Sequence, residues 1–147
     1  MVDSGTGRRI SISFEIEMDE HLARNHATMH PLEVVRDVEG PMRICIESQV
    51  FFGEPVMLSL ELAISLRKWT DAVRAGKIED FVYESMEHDG PLLEFRRQPD
   101  GSWLVYSIWQ RFESMARFST GELLDAAGDF IERLRGEIGR LYGLVLE

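Results

Sequence analysis

From Ile10 to Met18 apolar and polar side chains alternate. Ile10, Ile12, Phe14, Ile16 and Met18 fall on one face, and Ser11, Ser13, Glu15 and Glu17 fall on the other. A period of two predicts an antiparallel strand with one face on a core and the other in water. Asp19 is placed to cap a short helix reaching as far as Met29, since the residue before Pro31 is pushed out of the helical region. Leu32 to Val38 and Met42 to Ser48 are β-branched or alternating, and Glu39-Gly40-Pro41 between them supplies a turn, so the pair reads as a hairpin. Val50 to Phe52 either extends it or begins another strand.

After Gly53 and Pro55 the period changes. Leu58, Leu62, Leu66, Trp69 and Val73 recur at helical spacing, and Gly76, between Arg74 and Lys77, has the chemistry of a helix C-terminus. A meander is then predicted, with strands at Phe81 to Met86, Leu92 to Arg97 and Trp103 to Gln110 and a further one at Phe112 to Phe118. Asp89-Gly90 and Pro99-Asp100-Gly101 supply its turns. The last helix opens on a capping box, Ser119 with Glu122, and Phe118 is placed to staple onto Leu123. Its buried stripe is Leu123, Ala127, Phe130, Leu134, Ile138 and Leu141. Gly143 ends it and leaves Leu144, Val145 and Leu146 to pack on the sheet or on a partner. Gly128, Gly136 and Gly139 each weaken this helix by roughly 1 kcal/mol relative to alanine, so tertiary packing must hold it.

These elements predict an α+β fold, an antiparallel sheet of about six strands packed against two main helices around a single core. Residues 1–9, small and polar, read as a flexible tail, and residues 10–147 as one α+β domain. A chain of 147 residues is long enough for one core, a domain of that size burying roughly 70% of its unfolded surface.

Charge narrows the choice of partners. The formal net charge of -10 opposes phosphate backbones and anionic lipid surfaces, so neither nucleic acid nor membrane is expected. Cys45 is the only cysteine, which rules out an intrachain disulfide and fits a reducing compartment. The N-terminal residues lack the apolar core of a secretory signal, and no run of about eighteen apolar residues exists, so the expected location is the cytoplasm. Fourteen of the sixteen basic residues are Arg, a bias that fits a GC-rich bacterial genome.

Candidate chemistry is sparse, and no cofactor or catalytic residue is expected. His21, His26 and His30 form the sharpest constellation. On one helix His26 and His30 would sit four apart and share a zinc ion, with Glu33 or Asp37 adding a carboxylate. The HEXXH pattern and a cysteine pair are absent, and surface histidines are the simpler account. His88 reads as turn decoration, Glu15 and Glu17 as a solvated face, and Cys45 as a small hydrophobe. Nucleophile-elbow, phosphate-loop and dinucleotide patterns are missing. Glu79, Asp80, Glu84, Glu87 and Asp89 form an acidic run without Lys or Arg, which is either a soluble edge or a dock for a basic partner. Trp103 and Trp109 share a strand face with Val105 and Ser107 and serve either the core or an interface; Trp69 poses the same choice.

Phe51-Phe52, Leu66-Arg67-Lys68-Trp69, Phe81-Val82-Tyr83-Glu84-Ser85-Met86, Ser107-Ile108-Trp109-Gln110 and the Ser119 capping box together carry a resemblance over residues 10–143. The chain resembles a family of small bacterial proteins classed as a domain of unknown function and, more loosely, the single-domain immunity proteins of toxin systems. The resemblance implies a fold type and no reaction. The first expectation is a non-enzymatic protein-binding module of immunity type, turned toward a basic partner. The alternatives are a small metal- or ligand-binding protein using His21, His26 and His30, and a homodimer formed through a strand edge or the apolar C-terminus.

Overall fold

The N-terminal alternation does make the first strand, β1 (Ile10–Phe14), which pairs antiparallel with β2 (Gly40–Ile46). Ile10, Ile12 and Phe14 are buried as the pattern predicts, but the opposite face is not in water: Ser13 is buried and Ser11 half-buried. Beyond Phe14, Ile16 is half-buried and Met18 is 54% exposed, as the chain leaves the regular ladder; Glu15 N–H still donates to Pro41 O and Glu17 N–H to Glu39 O. Asp19 caps α1 (Glu20–Asn25) by accepting from the Leu22 N–H at 2.9 Å. The helix stops four residues short of Met29, with His26 as its C-cap. The structure is a computed structural model and describes residues 8–84 and 90–144.

Two expectations in the next stretch fail for one local reason. Leu32 to Val38 is not a strand but belongs to α2 (Pro31–Asp37). Proline at the first helical position has its φ preset for a helix, and the His30 ring accepts from the Leu32 N–H at 3.1 Å, which outweighs the β-branched Val34 and Val35. The hairpin therefore lies one element later. It joins β2 to β3 (Gln49–Met57) through Glu47 and Ser48, whose φ values of 50° and 70° are those a tight hairpin turn requires. Glu39-Gly40-Pro41 is the start of β2 instead of a turn.

The second half follows its periodicity closely. α3 (Ser59–Arg74) buries Leu62, Leu66, Trp69 and Val73 and is followed by Gly76 at φ 90°. β4 (Phe81–Tyr83), β5 (Leu93–Arg97) and β6 (Trp103–Tyr106) form the meander. β6 ends at Tyr106, earlier than Gln110, and residues 112–118 do not form a strand; only Phe118 bridges back, to Trp103. α4 (Thr120–Tyr142) has its complete capping box and ends on Gly143 at φ 68°. Met86, His88, Val145 and Leu146 lie outside the described residues.

The six strands divide into two three-stranded antiparallel sheets, β1-β2-β3 and β4-β5-β6, in place of one sheet. Aromatic contacts join the layers. Phe14 of β1 meets Phe130 of α4 edge to face at 5.5 Å, Trp69 of α3 packs against Phe81, Phe95 and Trp103 of the second sheet, and Phe51 of β3 meets Phe112 at 5.6 Å. One contiguous hydrophobic cluster draws residues from both sheets and from α1, α3 and α4. No helix among the described residues is long and apolar enough to cross a membrane.

Candidate functional site: the outer edge of β4

Two open sheets have four edges, and each unpaired edge presents main-chain N–H and C=O groups to whatever can reach them. Three edges here are engaged by the chain itself. Arg133 of α4 donates to the Ile12 carbonyl of β1, and the Arg111 N–H donates to the Phe51 carbonyl of β3 at 2.7 Å. Trp103 of β6 exchanges two hydrogen bonds of 2.9 Å with Phe118. The fourth edge is β4, which pairs only with β5 among the described residues. The Leu92 N–H donates to the Tyr83 carbonyl at 2.9 Å, so Tyr83 turns its peptide groups toward β5. Antiparallel strands alternate in this respect, and Val82 therefore points its N–H and C=O outward. Its side chain is 48% exposed.

Neighbouring elements hold this edge in place. The Trp69 Nε1–H donates to the Glu79 carbonyl at 2.8 Å and fixes the approach to β4. Asp80 Oδ1 accepts from the Arg97 N–H of β5 at 2.9 Å, and the Tyr83 hydroxyl donates to Glu61 of α3 at 2.7 Å. Between α3 and β4 runs an open cleft of about 260 Å3 lined by Ser65, Lys68, Trp69, Glu79, Asp80 and Val82.

Glu79, Asp80 and Glu84 are all exposed along this edge and give it a negative rim. Lys68 is the cation in the cleft wall. Arg96 on neighbouring β5 is occupied: it pairs with Glu94 at 2.9 Å and lies 4.1 Å over the Tyr106 ring. The Glu94 hydrogen bond raises its pKa above the ordinary arginine value. Chemically the site can complete a sheet and attract cations.

The sequence-predicted residues scatter around this edge. Glu79, Asp80 and Glu84 come together on it, whereas Glu87 and Asp89 lie outside the described residues. Trp103 is fully buried, its Nε1–H donating to Thr120 Oγ1 at 2.9 Å, and has no surface to offer a partner. Trp109 is 36% exposed and stacks on Phe52 of the other sheet at 6.4 Å, apart from the acidic residues.

The histidines do not share a helix. His21 Nδ1 lies 3.1 Å from the Asn25 amide nitrogen, His26 closes α1, and His30 opens α2 as its cap. Among the described residues no three His, Cys, Asp or Glu side chains gather to hold a metal ion. Sequence reasoning did not find Val82. Its significance depends on which strand stands at the end of a sheet, and no local pattern reports that.

The architecture is that of an α+β protein with two antiparallel meanders, two long helices and, among the described residues, one sheet edge left open. Residues 12–140 match the family model described as "Domain of unknown function (DUF7878)", and the chain belongs to that family. No curated protein and no solved structure matches the chain.

Proposed function

We propose that this protein is a non-enzymatic protein-binding module that accepts an extended, basic segment of a partner as an added strand along β4. The observation that carries the reading is the contrast between β4 and the other three edges, each of which is engaged by Arg133, Arg111 or Phe118. Strand addition draws affinity from main-chain hydrogen bonds and specificity from the side chains around them. Here the rim of Glu79, Asp80 and Glu84 selects a cationic strand. An immunity-type protein that neutralises a basic toxin domain is one protein of this kind.

The test uses a short peptide of alternating valine and lysine, titrated into the full-length protein and followed by amide chemical shifts. Perturbations centred on Phe81 to Glu84 are expected. Val82→Pro removes the outward N–H but no bond to β5, since proline is tolerated on an edge, and should abolish them. Glu79→Lys with Asp80→Lys should weaken them. Shifts that fall elsewhere, or that survive Val82→Pro, would overturn the reading. A wild-type dimer that Val82→Pro converts to monomer would replace it with self-association.

A further inference from the structure

A second open cleft, of about 310 Å3, lies between α3 and α4. Arg67, Asp71 and Arg74 reach it from α3, and Gly128, Glu132 and Arg135 from α4. Arg67 and Arg74 stand seven residues apart, close to two helical turns, and so share a face.

Most arginines of this chain are matched to carboxylates. Arg8 pairs with Asp129, Arg9 with Glu47 and Glu122, Arg96 with Glu94, Arg117 with Asp100, and Arg133 with Asp129. Among the described residues Arg67 and Arg74, like Arg36, Arg97 and Arg111, have no ion pair, although Asp71 lines the same cleft and acids outnumber bases 26 to 16. Arg135 is held by Glu132 at 3.3 Å.

Gly128 adds a separate observation. A Cβ there would meet nothing within 4 Å. Glycine inside a helix costs roughly 1 kcal/mol relative to alanine, and no packing within the chain requires it here. The same holds for Gly136, but Gly128 is the one of the two that lines this cleft, where a larger side chain would fill it.

We infer that this cleft is an anion site, which takes a phosphoryl group, free or carried on a small molecule, against the guanidinium groups of Arg67, Arg74 and Arg135. The planar fork of donors on each guanidinium matches phosphoryl oxygens in pairs. Asp71 and Glu132 leave the cleft a local charge of only about +1 from three arginines and two acids. With -10 on the whole chain, that balance opposes a long polyanion and favours a single compact dianion. This site is independent of the β4 edge, and each can fail without the other.

Calorimetric titration of the full chain with inorganic phosphate, pyrophosphate and glycerol 3-phosphate, each against chloride at matched ionic strength, tests the inference. Saturable binding of one molecule per chain is expected. Arg67→Gln and Arg74→Gln should each weaken it about tenfold, equivalent to roughly 1.4 kcal/mol. Both side chains are exposed, so these variants should fold, which circular dichroism checks. Gly128→Leu should block the cleft with its charges left in place. Tighter binding of the ester assigns the ligand as a phosphorylated small molecule, and tighter binding of inorganic phosphate assigns the free ion. Absence of saturable binding by all three probes overturns the inference, as does binding that Arg67→Gln and Arg74→Gln leave unchanged.

Discussion

The indole of Trp69 meets that of Trp103 edge to face, with 5.4 Å between ring centroids and 88° between planes. The pair ties α3 to the meander, and Trp103 reaches α4 through its hydrogen bond to Thr120 at 2.9 Å. Trp103 also borders Arg97, whose guanidinium lies 6.0 Å from its ring centroid. A fully buried indole at this junction predicts a large truncation effect. Trp103→Ala should cost about 3–5 kcal/mol in urea unfolding. Trp103→Phe keeps most of the packing and loses the hydrogen bond, so its cost should be clearly smaller. A loss below about 1 kcal/mol for Trp103→Ala would show that this junction does not hold the layers together.

Gly40 opens β2 where the chain continuing from β1 crosses it. A Cβ at Gly40 would lie 2.1 Å from the Glu15 carbonyl oxygen, a main-chain atom that cannot swing aside. Gly40→Ala is therefore predicted to destabilise the protein by about 1–3 kcal/mol or more, as overpacking does. Gly136→Ala, where a Cβ meets nothing within 4 Å, serves as the control and should be neutral or stabilising in the same denaturation experiment.

The start of α4 predicts a pH effect. Ser119 Oγ accepts from the Glu122 N–H at 3.1 Å, and the Glu122 carboxylate accepts from the Ser119 N–H at 3.0 Å. Ser119→Ala should cost about 1 kcal/mol. The hydrogen bond from the Ser119 backbone, helped by Arg9, holds the Glu122 carboxyl below its ordinary value. A depressed folded-state pKa contributes stability that is fully present above the unfolded value of about 4.3 and is lost as pH falls through the folded value. Wild type should thus exceed Glu122→Gln in stability at neutral pH, and the gap should close on acidification. Urea midpoints measured across the acid range check this; a gap independent of pH would remove Glu122 as its source.

How much of this was readable beforehand depended on how local each signal is. Ser119 and Glu122 fix a helix start within four residues, Gly143 and Gly76 mark helix ends by positive φ, and the stripes of α3 and α4 repeat along the chain. α2 was missed because its cap is a histidine ring, a rare acceptor in that position, and because Val34 and Val35 favour strands. The β2–β3 turn was missed because Glu47 and Ser48, not glycine or asparagine, take the left-handed conformation. One sheet became two because strand periodicity says which face is buried and nothing about which edges meet. The same limit governed function. Glu79, Asp80 and Glu84 were visible as an acidic run, but their place along the outer edge of β4 is a property of the topology. The sequence reading did not single out Arg67 and Arg74, because their lining one cleft with Arg135 depends on how α3 packs on α4.

Gly128 separates the demands of the fold from those of the α3–α4 cleft. If α4 needed a glycine there for close packing, Gly128→Ala would create a clash and lower stability. A Cβ at that position instead meets open space, so the substitution removes only the backbone freedom of glycine in the unfolded chain. Gly128→Ala should raise stability by roughly 0.5–1 kcal/mol in urea unfolding. The larger Gly128→Leu should retain a helical circular dichroism signal, since it too projects into the cleft. A destabilised Gly128→Ala would mean that the two helices lie closer than described, and the space assigned to a phosphoryl group would then not exist.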